Sequence, residues 1–228
     1  MIVSKYKSKY YLKKEIDIIM ICLHKINRSF KLFKELSSGD NYKYICSSIP
    51  HSMEIILDTL FESVLLELSK LLCDKDKKSI TILDIISLYK TDKQYFKEKK
   101  YYYAIDINTG QKVRRNFNNV DVQKNINKLE NDIKNNQMVI KYLGKRRNKS
   151  LAHNDKKFQY KKMKYSNKKI LYSDIESLIR VLIEDINMIS SNIFGVTYAF
   201  INNEKEEIEY LCNLIKQDEE NWSVECYE

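Results

Sequence analysis

The stretch RRNKSLAHND, residues 146–155, holds the residue types best suited to chemistry on a phosphate. Arg147 carries a guanidinium that can bind phosphate oxygens, and His153 an imidazole that can transfer a proton near neutral pH. Asn148 and Asp155 are polar residues that could position this pair. The alternative is a basic turn that happens to contain a histidine, in which Asn148 caps the turn and Asp155 caps the next helix or pairs with Lys157.

The stretch lies inside a strongly basic segment of a chain whose net charge is +9. Between residues 140 and 170, twelve Lys or Arg oppose the single Asp155, a balance of +11. Residues 204–228 are the opposite, with nine acids against two lysines, a balance of −7. A basic surface favours a polyanion such as nucleic acid, because each phosphate it neutralises releases counterions. An AT-rich codon composition would also enrich the chain in lysine, so the charge leaves both explanations open.

Arginine is scarce in this chain, which uses 34 Lys and only 6 Arg. Four of the arginines form adjacent pairs, namely Arg114 with Arg115 and Arg146 with Arg147. Where lysine is the default cation, an arginine indicates a need for its planar, always-charged fork. Arg146 is therefore a supporting residue and a rival for the role of Arg147.

Several common kinds of active site do not fit the sequence. The four glycines are too far apart for a phosphate-binding loop, and the histidines and cysteines show no zinc-ligand spacing. No acidic cluster resembles a two-metal nuclease site. We therefore predict no metal and no cofactor. Of the other histidines, His24 beside an apolar helix face is predicted to be structural, and His51 after Pro50 to be solvated or a cap.

Apolar spacing predicts the elements that position the motif. One helix spans residues 11–36, and a second, apolar nearly all round, spans 52–72 and is either central to the core or shared with a partner. Thr81 and Asp84 would cap a short third helix. Two segments around Asn-Thr-Gly, within residues 101–117, predict either a small β-hairpin or an ordered loop.

The second half of the chain returns to helical spacing. A long helix is predicted from Asp121 to about Gly144, and Ser173 with Glu176 would form the capping box of the next one. A last acidic helix covers 204–217, with an apolar face of Ile208, Leu211 and Ile215.

The predicted fold class is all-α, a bundle of four main helices with a short helix and a C-terminal acidic helix. We expect a helical domain over 1–203, with an insertion at about 95–120, and an acidic tail helix over 204–228. The five cysteines are scattered and the N-terminus lacks a signal-peptide run, which predicts a cytoplasmic protein with free thiols. No segment has the roughly 18 apolar residues needed to span a membrane.

The segment RNKSLAHND, after a long helix, resembles the Arg-x(4 to 6)-His signature of the HEPN superfamily, the higher eukaryotes and prokaryotes nucleotide-binding domain. It is most similar to the abortive-infection U-type branch, where Arg147 and His153 match the motif, Asn148 its polar residue and Asp155 its "AH.D" ending. The helices LDTLFESVLLELSKLLCD and SITILDIISLY also resemble that branch, so the likeness covers about residues 10–195.

The resemblance implies a metal-independent endoribonuclease, the toxin of a toxin-antitoxin or phage-defence system. The residues suit that chemistry, since an imidazole can take the proton of an RNA 2′-hydroxyl while a guanidinium stabilises charge on the phosphorus oxygens. The implied partners are RNA and a cognate antitoxin protein. Lysines near the motif are predicted to bind the RNA backbone: Lys145, Lys149, Lys156, Lys157, Lys161 and Lys162.

The spacing of the motif sets a geometric condition. Arg147 and His153 are six positions apart and would point about 120° from each other on an ideal helix. Either Gly144 ends the long helix so that residues 145–149 form a turn, or the site is assembled from two chains. A two-fold dimer would bring a second His153 to the seam, and the resemblance implies such a composite site. We therefore predict a homodimer.

Two other functions compete with the nuclease. One is a non-catalytic HEPN module that binds RNA or nucleotides, or a partner of a nucleotidyltransferase. The other is a helical interaction protein whose charge is only compositional. A separate hypothesis, based on opposite charge alone, is that the acidic tail covers the basic segment as an autoinhibitor.

Overall fold

The computed structural model describes residues 9–37, 49–74, 79–96, 101–105, 112–116, 122–151, 171–199 and 204–225. Its elements in chain order are α1 (Lys9–Ser37), α2 (Pro50–Cys73), α3 (Ile82–Thr91), a 3-10 helix (Lys93–Phe96), β1 (Tyr101–Ile105), β2 (Lys112–Asn116), α4 (Val122–Asn135), α5 (Gln137–Leu151), α6 (Tyr172–Phe194) and α7 (Glu204–Glu225). The prediction of a helical bundle with a small insertion is confirmed.

Two helices, α1 and α6, follow their apolar spacing closely. Every residue predicted for their apolar faces is buried, which confirms that the three-and-four spacing marks the core side of each helix. In α1 these residues are Leu12, Ile16, Ile19, Leu23, Ile26, Phe30 and Phe33, and in α6 they are Ile175, Leu178, Leu182, Ile186, Ile189 and Ile193.

Helix α2 begins at Pro50, earlier than predicted, because proline at a first helical position loses no hydrogen bond. Its C-terminal part is buried through Leu68, Leu71 and Leu72. Ile55, near its start, is 67% exposed. Met53, near the start of α2, is buried as well, so apolar residues around α2 are buried at both ends while Ile55 faces solvent.

The capping box of α3 is confirmed. Thr81 Oγ1 accepts a hydrogen bond from the Asp84 backbone N–H at 3.2 Å, and Asp84 Oδ2 accepts one from the Thr81 N–H at 3.1 Å. The box predicted for α6 is wrong, because that helix begins at Tyr172. There Asp174 accepts a hydrogen bond from the Leu171 N–H at 2.9 Å, and leucine offers no side-chain acceptor in return.

The segment between residues 101 and 116 forms an antiparallel two-stranded hairpin, which settles the choice between hairpin and loop. Tyr101 pairs with Asn116 and Ile105 with Lys112, and the residues between them pair one to one, without a bulge. The predicted turn residues 108–110 lie outside the described residues.

The long helix predicted from Asp121 to Gly144 is two helices that meet at Asn136. The amide side chain of Asn136 donates to the Asp132 carbonyl at 2.8 Å. Backbone bonds from Asn136 N to Asp132 O and from Ile140 N to Asn136 O still span the junction. The side chain of Asn136 therefore shares the Asp132 carbonyl with the backbone, and α5 starts as a separate helix at Gln137.

The described chain forms two compact units. Residues 1–23 and 68–199 make up the first, and 24–67 and 200–228 the second. The first unit contains α3 to α6 and the hairpin, and α4 packs against α6 within it. The predicted domain of 1–203 with a tail at 204–228 stays a prediction.

Polar contacts also tie the first unit together. The Tyr198 hydroxyl donates to Asp17 on α1, and the Asn187 side chain exchanges two hydrogen bonds with the Tyr198 backbone at 2.8 and 3.0 Å. Burial, together with the Asp17 carboxylate, raises the pKa of Tyr198 to about 12. The tyrosine therefore stays protonated and remains a donor.

The second unit has its own small core, to which α7 contributes. Ile208 and Cys212 of α7 are buried with Leu36 and Met53, and the Phe33 and Phe61 rings stack with centroids 5.0 Å apart. The predicted core position Leu211 is wrong, since it is 43% exposed and Cys212 takes its place. The apolar stripe of α7 therefore steps by four residues after Ile208.

None of the helices in the described part of the chain is both long and apolar enough to cross a bilayer. Cys22, Cys73 and Cys212, the cysteines within that part, form no disulfide, as predicted.

A buried ion pair joins α4 to α6. Asp185 is fully buried and accepts a hydrogen bond from Lys128, which also binds Asp132 at 3.1 Å. Burial raises the pKa of Asp185 to about 6, because desolvation outweighs the hydrogen bond and charge of Lys128. The second carboxylate oxygen of Asp185 has no hydrogen-bond partner among the described residues.

We expect Asp185 to make the protein less stable as the pH rises from about 4 to about 6. The pKa of Asp185 is higher in the folded state than in the unfolded state. Between these two pKa values the folded protein holds a proton that the unfolded chain has lost, so a rise in pH favours unfolding. The free energy of unfolding should fall by roughly 1–2 kcal/mol relative to Asp185→Asn over this range, measured by urea denaturation. Asp58→Asn, at an exposed position on α2, is the control and should not change the slope. An identical pH profile for wild type and Asp185→Asn would contradict this account.

Candidate functional site

Helix α5 carries the described part of the motif and is continuous through Gly144 to Leu151. The alternative in which Gly144 ends the long helix is therefore wrong, and the alternative of a site assembled from two chains stays a prediction. A Cβ built on Gly144 would lie 3.5 Å from Cys73 Sγ at the end of α2. Because 3.5 Å is an ordinary van der Waals distance, the contact between α5 and the end of α2 leaves room for a methyl group, and Gly144 does not end the helix.

Cys73, at the end of α2, also forms a hydrogen bond to α5. Its thiol donates a hydrogen bond to the Ile140 carbonyl on α5 at 3.4 Å. Burial raises the pKa of Cys73, and the positive charge of Arg147 only partly opposes that effect. Cys73 therefore stays a protonated donor and lacks the thiolate character that a nucleophile needs.

Arg147 lies one turn beyond Gly144 and points to the end of α2. Its Nη2 donates to Asp74 Oδ1 at 3.1 Å, and the two side chains are only 21% and 13% exposed. The other oxygen of Asp74 accepts a hydrogen bond from Ser79 Oγ at 2.8 Å. The guanidinium is thus held by a carboxylate that is itself held in place.

Asp74 is the site residue that the sequence prediction missed. It directly follows α2, where the helix dipole makes a carboxylate unfavourable. A buried helix that ends in an acid needs a nearby cation, and this signal could have directed attention to Asp74. It would not have identified Arg147 as the cation.

The neighbouring residues of Arg147 have different surroundings. Arg146 Nη1 donates to the Tyr142 hydroxyl at 3.2 Å, one turn back on the same helix. Lys145 is exposed. Arg147 is held by an acidic side chain beyond its own helix, Asp74.

The remaining predicted site residues are only partly placed or not placed. Asn148 and Lys149 lie in helix α5, and the structure describes only their backbone. The others lie outside the described residues: His153, Asp155, Lys156, Lys157, Lys161 and Lys162. The pairing of Arg147 with His153, within one chain or between two, therefore stays a prediction. Within the described ranges, no group of His, Cys, Asp or Glu could hold a metal ion.

A comparison with protein families finds one match that covers most of the chain. The family model described as AbiU2, a HEPN family, matches residues 9–210. That range includes α1 to α6, the start of α7 and the whole of the RRNKSLAHND stretch. No curated protein and no solved structure is significantly similar to the chain.

Gly144→Ala should stabilise the protein. Glycine in a helix interior costs about 0.5–1 kcal/mol relative to alanine, and the added methyl would make an ordinary contact with Cys73. We expect the free energy of unfolding to rise by up to that amount in chemical denaturation.

The matched control is Gly195→Ala. Gly195 caps α6 with a φ of 69°, a left-handed conformation in which a side chain costs about 1–2 kcal/mol. The two substitutions should therefore have opposite signs. A Gly144→Ala variant as destabilised as Gly195→Ala would mean that α5 is interrupted at Gly144.

Proposed function

The chain belongs to the AbiU2 family of HEPN domains, and on that premise we propose that it is a metal-independent endoribonuclease that acts as a toxin or phage-defence effector. The observation that carries the proposal is the anchored guanidinium of Arg147, the motif arginine, at the partly buried end of α2. A group that stabilises a transition state is most effective when it is oriented before the substrate arrives.

The proposed reaction divides the work between two side chains. His153 takes the proton of the RNA 2′-hydroxyl, and the resulting oxygen attacks the adjacent phosphorus. The P–O5′ bond breaks, and the leaving 5′-oxygen takes up a proton from water. Arg147 binds the phosphorus oxygens on which negative charge grows. The products are a 2′,3′-cyclic phosphate and a free 5′-hydroxyl, and the mechanism requires no metal.

The charge distribution supports RNA as the substrate. Asp74 offsets the charge of Arg147, so long-range attraction must come from other cations of the +11 segment. Lys145 is exposed on α5 and is available for a phosphate contact. In this proposal the lysines bind the backbone and the Arg147 guanidinium acts on the reacting phosphate.

A dimer follows from the number of acid/base groups. One chain supplies a single histidine in the motif, and on an ideal helix Arg147 and His153 would point about 120° apart. Because α5 runs through Gly144 as regular helix, a turn there does not correct this divergence. We propose that two chains pair so that Arg147 of one faces His153 of the other.

The first test measures cleavage of single-stranded RNA in EDTA. Arg147→Ala and His153→Ala should each lower the rate about 100-fold or more, because each removes a group that acts in the transition state. Arg146→Ala is the matched control, with the same charge loss one residue away, and should lower it less than about 10-fold. Mass spectrometry should detect the 2′,3′-cyclic end.

The other outcomes of this test identify the competing functions. Salt-sensitive binding without cleavage by the wild type would support a non-catalytic RNA-binding module. Neither binding nor cleavage would support a helical interaction protein. Cleavage that Arg147→Ala retains and Arg146→Ala loses would transfer the arginine role to Arg146.

The second test mixes two inactive variants. If each site takes Arg147 from one chain and His153 from the other, a heterodimer of Arg147→Ala with His153→Ala contains one intact site. Random mixing should then restore about a quarter of the wild-type activity. No recovery, with heterodimers verified by native mass spectrometry, would contradict the shared site, as would a monomer that cleaves RNA.

A further inference from the structure

Asp74 is the acidic side chain that holds Arg147, and we propose that it is a positioning residue for the ribonuclease reaction. The inference rests on the proposed function of Arg147. Asp74 fixes the guanidinium in the orientation that the reacting phosphate needs. Its negative charge also weakens the attraction of Arg147 for RNA.

The hydrogen bonds of Asp74 make it a rigid support. Its two oxygens have different partners, Arg147 on Oδ1 at 3.1 Å and Ser79 on Oδ2 at 2.8 Å. Ser79 precedes Thr81, whose capping box with Asp84 starts α3. The carboxylate is therefore held between the end of α2 and the start of α3, and it has little freedom to follow a moving guanidinium.

The backbone beneath the pair is fixed as well. Gly144 lies against Cys73, and the Cys73 thiol donates to the Ile140 carbonyl on α5. These contacts set the position of α5 against the end of α2 one to two turns before Arg147. The Arg147 side chain is long and could adopt many rotamers. Its ion pair with Asp74 determines where the guanidinium lies.

The charge of Asp74 makes this role distinguishable from simple stabilisation. A carboxylate beside Arg147 weakens the attraction of that arginine for a phosphate before the reaction. The same carboxylate binds one side of the planar Arg147 guanidinium. The other N–H groups of the guanidinium therefore point in defined directions. Loss of the carboxylate should therefore leave RNA binding equal or tighter and make the chemical step slower.

The experiment compares kcat and KM for single-stranded RNA cleavage in wild type, Asp74→Ala and Asp74→Asn. We expect Asp74→Ala to lower kcat about 10- to 100-fold without raising KM, because a misplaced guanidinium loses its transition-state contact. Asp74→Asn should fall between the two, since its amide oxygen can still accept the Arg147 hydrogen bond. The slope of log affinity against log salt should steepen by somewhat less than one for both variants.

Two controls separate positioning from folding. Glu130→Gln breaks the interhelical ion pair of Glu130 with Lys90, which is 2.9 Å long, and should leave kcat unchanged. All rates are measured at a temperature where circular dichroism shows every variant to be folded. Asp74→Asn serves if Asp74→Ala fails to fold.

A double-mutant cycle decides the result. If Asp74 acts through Arg147, Asp74→Asn should cause no further loss of residual cleavage in an Arg147→Ala background. Equal losses in both backgrounds, or an unchanged kcat in Asp74→Asn and Asp74→Ala, would overturn the inference while the nuclease proposal stands. A wild-type protein that does not cleave RNA in EDTA would overturn the nuclease proposal itself, and the positioning role with it.

Discussion

The partly buried ion pair between Arg147 and Asp74 is the interaction on which the candidate site depends. It joins α5 to the end of α2, and Ser79 holds the carboxylate from the start of α3. Removal of either charge would leave the other uncompensated in a place with little water, at a cost on the order of 1–3 kcal/mol. The same pair orients the one motif side chain whose position the structure describes. Stability and the proposed chemistry therefore depend on the same contact.

The contact between Gly144 and Cys73 lies close to this ion pair. At Gly144, α5 lies within ordinary contact distance of Cys73, and Arg147 follows one turn later. Arg146, the adjacent residue, leaves the helix in another direction and meets Tyr142. Two neighbouring arginines of equal charge thus have different contacts along α5: Arg147 binds Asp74, and Arg146 donates to Tyr142. The anchoring of Arg147 by Asp74 supports the proposal that Arg147 takes the motif role.

The acidic C-terminal segment is more than a charged tail. Ile208 and Cys212 of α7 are buried with Leu36 and Met53 in the core of the second unit, so α7 has a structural role. Removal of residues 204–228 would expose that core and confuse any effect on RNA binding with unfolding. The hypothesis of charge-based autoinhibition therefore has to be examined with α7 in place, by neutralising exposed acids such as Glu206, Glu207 and Glu209.

The sequence by itself determined the helical fold class, the core faces of α1 and α6, the capping box of α3 and the family. These features depend on neighbours along the chain, because helix periodicity and caps involve residues within a few positions of each other. Only the tertiary structure decided that α5 continues through Gly144, that Asn136 separates it from α4, and that Asp74 holds Arg147. Asp74 and Arg147 are 73 residues apart, and Gly144 reads the same in a sequence whether it ends a helix or packs against one. Such choices depend on which surfaces meet in space, and local spacing carries no record of that.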